Sequence, residues 1–153
     1  MEKKYQYKAD IQQIVKLQEE FSLLKAEWKL PDSETRQILM VLEELFSKLI
    51  ASKATDEQEH IIEIFVRLEN RIVIFTVQDN SNPFNPFKHD IYDLPDNSSS
   101  SSEAMDISLI KTFIDSYAYN REEGKNIFVF YHFCCHMSSR KIFFPSSMPF
   151  ISS

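Results

Sequence analysis

Apolar positions along the chain follow two spacings, one helical and one alternating. Ile11, Ile14, Val15, Phe21, Leu24 and Trp28 recur every three or four residues, the spacing of a helix that buries one face. Asp10 in front of them suits an N-cap, and Pro31 behind them stops the run. Ile38, Val41, Leu42, Leu45 and Leu49 repeat the pattern behind a cap at Asp32 or Ser33. Ile107, Ile110, Ile114 and Tyr117 do so within a third helix over Glu103 to Tyr117. Other segments alternate or are rich in Ile, Val and Phe, as strands are. These are Lys3 to Lys8 (with Tyr5 and Tyr7 on one face), His60 to Leu68, Arg71 to Gln78, Ala118 to Arg121 and Lys125 to Phe133. Glu69-Asn70 suits a tight hairpin between the second and third strands, and Gly124 one between the last two. The order β-α-α-β-β-loop-α-β-β predicts an α+β fold: a two-layer α/β sandwich, with three helices on one face of a mixed, mainly antiparallel sheet.

Between the third strand and the third helix the pattern breaks. VQDNSNPFNPF, from Val77 to Phe87, ends a strand on an acid and follows it with two Asn-Pro pairs, a strong loop signal. The irregular stretch runs from Asn80 to Ser102 and includes the serine run Ser98 to Ser102; a loop this long in a compact domain is functional or disordered, and a loose lid is the expectation. The expected organisation is one domain over 1–133 and a C-terminal tail over 134–153 that has no acidic residue and no periodicity. A net charge of −6 gives no electrostatic footprint for nucleic acid and favours protein or small-ligand partners. No apolar run approaches the roughly 18 residues of a membrane helix, and no apolar segment follows the N-terminal lysines as in a signal peptide. Two adjacent cysteines make no disulfide framework, so the expected location is the cytoplasm.

The element order, the acidic pair inside the second helix and the strand-terminal Asp79 together resemble the anti-sigma factor/serine-protein kinase family. These are small bacterial members of the GHKL ATPase superfamily of gyrase, heat-shock chaperone, histidine kinase and MutL. VLEELFSKLI, VQDNSNPFNPF and ISLIKTFIDSYAYNREEGKNIF carry the resemblance, which spans Lys3 to Phe133. It implies a histidine kinase-like ATPase fold, ATP with Mg²⁺ as cofactor, a sigma factor or an anti-anti-sigma (STAS) protein as partner, and a homodimer. By the same resemblance Glu44 matches the family's general base, and Lys48 falls where the family has an Asn that binds Mg²⁺. Asp79 matches the acid that takes the adenine amino group. Ser81 stands where a glycine is usual, and Pro83 follows as in relatives that read PFNP. Ala104 and Asp106 fall in the second glycine box, and Val129 falls where a Thr lies against adenine.

The departures from that pattern have a physical cost. Lys48 sits one helical turn from Glu44, on the same side, where it suits an ordinary surface ion pair. A cation about 4 Å from Mg²⁺ at an effective dielectric of about 20 is opposed by roughly 8 kcal/mol before relaxation. Lys48 instead offers phosphate a single positive contact. Glu103 and Asp106 put carboxylates where amides of a glycine box would meet polyphosphate, so this helix start caps itself. The expectation is an anti-sigma-like regulator with weak or lost ATP binding. The alternative is an active serine/threonine-protein kinase acting on an anti-anti-sigma protein.

Three further features get plain readings. His132, Cys134, Cys135 and His136 are metal-ligand types, yet no second ligand cluster follows and alternate strand residues face opposite sides. A strand end with exposed thiols is expected instead, and no metal. Lys111 and Arg121 read as solvated surface charges. Tyr5 and Tyr7, on a terminal strand with an edge to protect, read as anchors for self-association, with Phe21 and Trp28 either joining them or completing the core.

Overall fold

The computed structural model describes residues 1–52, 59–85 and 107–134. Five strands and three helices follow in the order β1 (Glu2–Lys8), α1 (Gln13–Trp28), α2 (Asp32–Ala51), β2 (Ile61–Glu69), β3 (Ile72–Asp79), α3 (Ile107–Phe113), β4 (Ser116–Glu122) and β5 (Lys125–Phe133). The strands form one sheet in the order β1-β2-β3-β5-β4. Every pairing is antiparallel, so the sheet is not mixed as the sequence suggested. The long crossovers still return each strand antiparallel to its neighbour.

The alternation of side chains divides the sheet into two faces. Tyr7, Ile62, Ile64, Val66, Val73, Phe75, Val77, Phe128 and Phe130 point one way and share a core with all three helices. Phe75 stacks on Phe130 at 5.0 Å, and Tyr7 meets Phe46 of α2 edge-on at 5.6 Å. On the other face Ile72, Ile74 and Tyr131 pack together beside Val129 and Phe133.

The helix stripes hold with local corrections. Ile38, Val41, Leu42, Leu45 and Leu49 are all buried, as their spacing requires. In α1 the buried residues are Leu17, Phe21, Leu24 and Trp28, whereas Ile11 and Val15 are exposed. The helix starts at Gln13, two residues later than an Asp10 cap implies, because Asp10 first closes a turn by accepting the Gln12 N–H at 3.0 Å. Ile14, Phe21, Leu24 and Trp28 keep to the expected stripe, and Leu17 joins it. Within its described span α3 is short, and Tyr117 belongs to β4, where it packs on the core. Glu103 to Asp106 and the Ser98 to Ser102 run lie outside the described residues, as does the tail beyond Cys134.

Both hairpins turn on two residues with positive φ, the geometry that matches strand twist. In the first, these are Asn70 (49°) and Arg71 (67°), one position later than Glu69-Asn70. In the second they are Glu123 (50°) and Gly124 (75°), so the one glycine in the chain sits where L side chains are strained. Tyr7 is a core residue and not an interface anchor. Strand β1 is an edge, yet it exposes Lys3, Lys4 and Lys8, a pattern that discourages pairing with a second chain.

Candidate functional site

Asp79 is the last residue of β3 and lies on the helix-facing side, in step with Val73, Phe75 and Val77. Beyond it Asn80 takes over the work of a strand by bonding to backbone. Its Oδ1 accepts the Ile61 N–H at 2.9 Å, and its Nδ2 donates to the Glu59 carbonyl at 2.7 Å. The start of β2 is thereby tied to the end of β3, and His60 is brought to Asp79.

Across the sheet, the antiparallel register of β3 and β5 sets Asn126 directly opposite Asp79. The Asn126 Nδ2 donates to Asp79 Oδ1 at 2.8 Å, to Ser81 Oγ at 3.1 Å and to the Asn82 carbonyl at 2.9 Å. Its Oδ1 accepts from the Phe84 N–H at 3.1 Å, the Tyr119 hydroxyl at 2.6 Å and the Arg121 guanidinium at 3.0 Å. Asn126 is fully buried (0% exposed), as a group with this many partners has to be. On the other side, His60 Nε2 donates to Asp79 Oδ2 at 2.7 Å. Both carboxylate oxygens are therefore bonded inside the protein, and the Asp79 side chain has 0% exposure.

The loop after β3 is bound into the same network. Ser81 is buried, and its carbonyl accepts from Arg121 at 3.0 Å. Pro83 is exposed, and Phe84 packs edge-on against Phe128 at 6.4 Å. Arg121 is thus a structural donor and not a solvated surface charge.

Glu44 and Lys48 are partners one turn apart on α2, at 3.8 Å, both partly buried. Glu44 borders a shallow hollow with Ile14, Met40, Glu43 and Ser47. Asp79 borders a different one, with Gln6, Ile61, Glu63, Asn80 and Lys125. Ala104 and Asp106 lie outside the described residues. Val129 pairs with Thr76 on the opposite face from Asp79, so the residue that meets the acid from the last strand is Asn126. Counting by twos along β5 finds Asn126 and His132 in the sequence as the polar residues on a strand face that otherwise carries Phe128 and Phe130. Nothing in sequence spacing points to His60, which a turn of chain geometry delivers.

A family model described as the histidine kinase-like ATPase domain matches residues 7–131. The chain belongs to this family. A search of the curated proteins finds no match. Histidine kinase-like ATPase domains typically bind ATP with Mg²⁺ and are often anti-sigma factor kinases. The five-stranded antiparallel sheet with three helices agrees with that membership. No helix among the described residues is long and apolar enough to cross a membrane.

Proposed function

We propose that the chain is a regulator of the anti-sigma type that works by binding a protein, a sigma factor or an anti-anti-sigma (STAS) partner, with ATP binding weak or lost. The observation that carries this reading is the state of Asp79. An adenine amino group needs an accessible acceptor there, and the Asp79 side chain is wholly buried, with one oxygen bonded to His60 and the other to Asn126. Turning either oxygen out to a ligand gives up a hydrogen bond to a charged group, at a cost of about 1.5–3 kcal/mol. Lys48 supports the same reading: it brings a cation to the position of the family's metal ligand and is already paired with Glu44.

Partner binding and self-association need exposed apolar surface. Ile11, Val15 and Leu23, with Met40 of α2, are exposed, and they replace Tyr7 as the anchors of a homodimer on the side of the N-terminal strand and α1.

Calorimetric titration with ADP and ATP, with and without Mg²⁺, is the test. We expect no binding tighter than about 1 mM, equivalent to roughly −4 kcal/mol. Micromolar, Mg²⁺-dependent ATP binding refutes the reading and favours the kinase alternative, with Glu44 as base. Capture of a purified sigma factor or STAS protein separates a regulator from a domain that only self-associates.

A further inference from the structure

A second polar cluster lies at the other end of β5 from Asn126. Glu34, His132 and Cys134 are 4%, 3% and 0% exposed. Their possible ligand atoms all lie within 4.8 Å of one another. To His132 and Cys134 the fold adds a carboxylate that stands 98 positions from His132 in the sequence. The thiol of Cys134 is not exposed at a strand end, as the sequence suggested, but buried.

Two elements bring the three residues together, β5 with its end and α2. His132 and Cys134 are two residues apart and so share the helix-facing side of the sheet. Glu34 stands in the first turn of α2, and its carboxylate is hydrogen-bonded to His132 Nε2. The other ring nitrogen, Nδ1, meets the backbone carbonyl of Phe113. A carbonyl only accepts, so Nδ1 carries a hydrogen and Nε2 is the nitrogen left to face Glu34. A histidine that ligates a metal is oriented by this kind of carbonyl bond. The backbone of Cys134 is fixed as well: its N–H donates to the Arg71 carbonyl at 2.8 Å, and its carbonyl accepts from the Arg71 guanidinium at 3.2 Å.

We propose that Glu34, His132 and Cys134 form a buried divalent-cation site, and that zinc is the ion it selects. Imidazole, thiolate and carboxylate are the N, S and O donors that zinc accepts, whereas magnesium or calcium would not take the sulfur. Charge points the same way. A carboxylate and a thiolate carry two negative charges, a neutral imidazole none, and a divalent cation brings the buried set to zero. The second oxygen of Glu34 or a water completes four-coordination. On binding, the thiol proton and the proton between Nε2 and the carboxylate leave to solvent, about two protons per ion. The ion joins the start of α2 to the end of β5, so its effect is on stability. The site is six residues along β5 from Asn126, about 20 Å at the rise of a strand, and its test is independent of nucleotide binding.

The experiment uses the untagged full chain, purified under reducing conditions. Elemental analysis is expected to find about one zinc per chain, and a chelator to lower the melting temperature. Cobalt(II) in place of zinc is expected to give a thiolate-to-metal charge-transfer band. Cys134→Ser removes that band, Cys135→Ser keeps it, and Glu34→Gln weakens cobalt affinity about tenfold or more. The proposal is overturned if the folded, reduced wild-type chain takes up neither metal at micromolar concentration and its melting temperature ignores chelator. It is overturned equally if the band survives Cys134→Ser or disappears with Cys135→Ser. Should Cys134→Ser fail to fold, the wild-type measurements still decide.

Discussion

At the residue scale, two buried polar groups govern what this chain tolerates. Asn126 joins Asp79, Ser81, Phe84, Tyr119 and Arg121, so Asn126→Ala strands several partners at once. Leaving buried donors and acceptors unmet costs about 1–3 kcal/mol per group, and networks exceed their pairs. We expect a loss of roughly 2–4 kcal/mol in urea unfolding of Asn126→Ala, against less than about 0.5 kcal/mol for a change at exposed Pro83. Tyr7 is the second. Burial first, and then the negative charge of Glu20, hold its phenol pKa well above the ordinary value. The sign follows from which state binds the proton. Above about pH 10 the unfolded chain loses the phenol proton while the folded chain keeps it, so stability falls as pH rises through that range. The slope approaches about 1.4 kcal/mol per pH unit for this one group. Tyr7→Phe removes that part of the slope, which thermal melts between pH 9 and pH 11 measure as a flatter curve (roughly, on the same ordinary value).

At the element scale, the turns show how little freedom the connections have. The β4–β5 turn places Gly124 at φ 75°, and a Cβ there would meet nothing within 4 Å. Gly124→Ala therefore costs only the backbone term, about 1 kcal/mol, or roughly 2–4 °C in Tm. A much larger drop would mean that the turn makes contacts the geometry does not contain. The β2–β3 turn carries the same conformation on Asn70 and Arg71 without a glycine. Asn tolerates positive φ through its short polar side chain, and Arg71 is held there by its bond to the Cys134 carbonyl. In α1, the turn at Asp10 moves the first helical residue to Gln13 and leaves Ile11 outside the helix, while Val15 lies off the stripe of Ile14, Leu17, Phe21, Leu24 and Trp28 and is exposed.

At the scale of the whole molecule, the fold buries one sheet face under the helices and leaves Ile11 ahead of α1, Val15 and Leu23 on α1 and Met40 on α2 exposed. If Ile11, Val15, Leu23 and Met40 cover one another between two copies, the chain sediments as a dimer at micromolar concentration. Val15→Glu with Leu23→Glu then shifts it to monomer without lowering stability by more than about 0.5 kcal/mol, since both positions are exposed. A native chain that sediments only as a monomer removes the dimer from the reading. It leaves the nucleotide titration untouched, because the Asp79 network lies within a single chain.

Local spacing determined most of the architecture. Each helix and strand was legible because burying one face imposes a period of 3.6 or 2 on the apolar residues, and the order of elements then restricted the layers. Asp79 was legible too, as an acid at a strand end followed by Asn-Pro turns. What it does was not. Whether its carboxylate faces a ligand or the protein depends on the register of β5 and on the arrival of His60, which are long-range facts. Val129 and Asn126 differ by three positions in the sequence, yet an odd number of steps along a strand puts them on opposite faces, and only pairing to β3 says which face holds the acid. Glu34 is the extreme case. Within α2 it is one acid in a first turn rich in them, and its burial against His132 and Cys134 exists only once the helix lies across the end of the sheet.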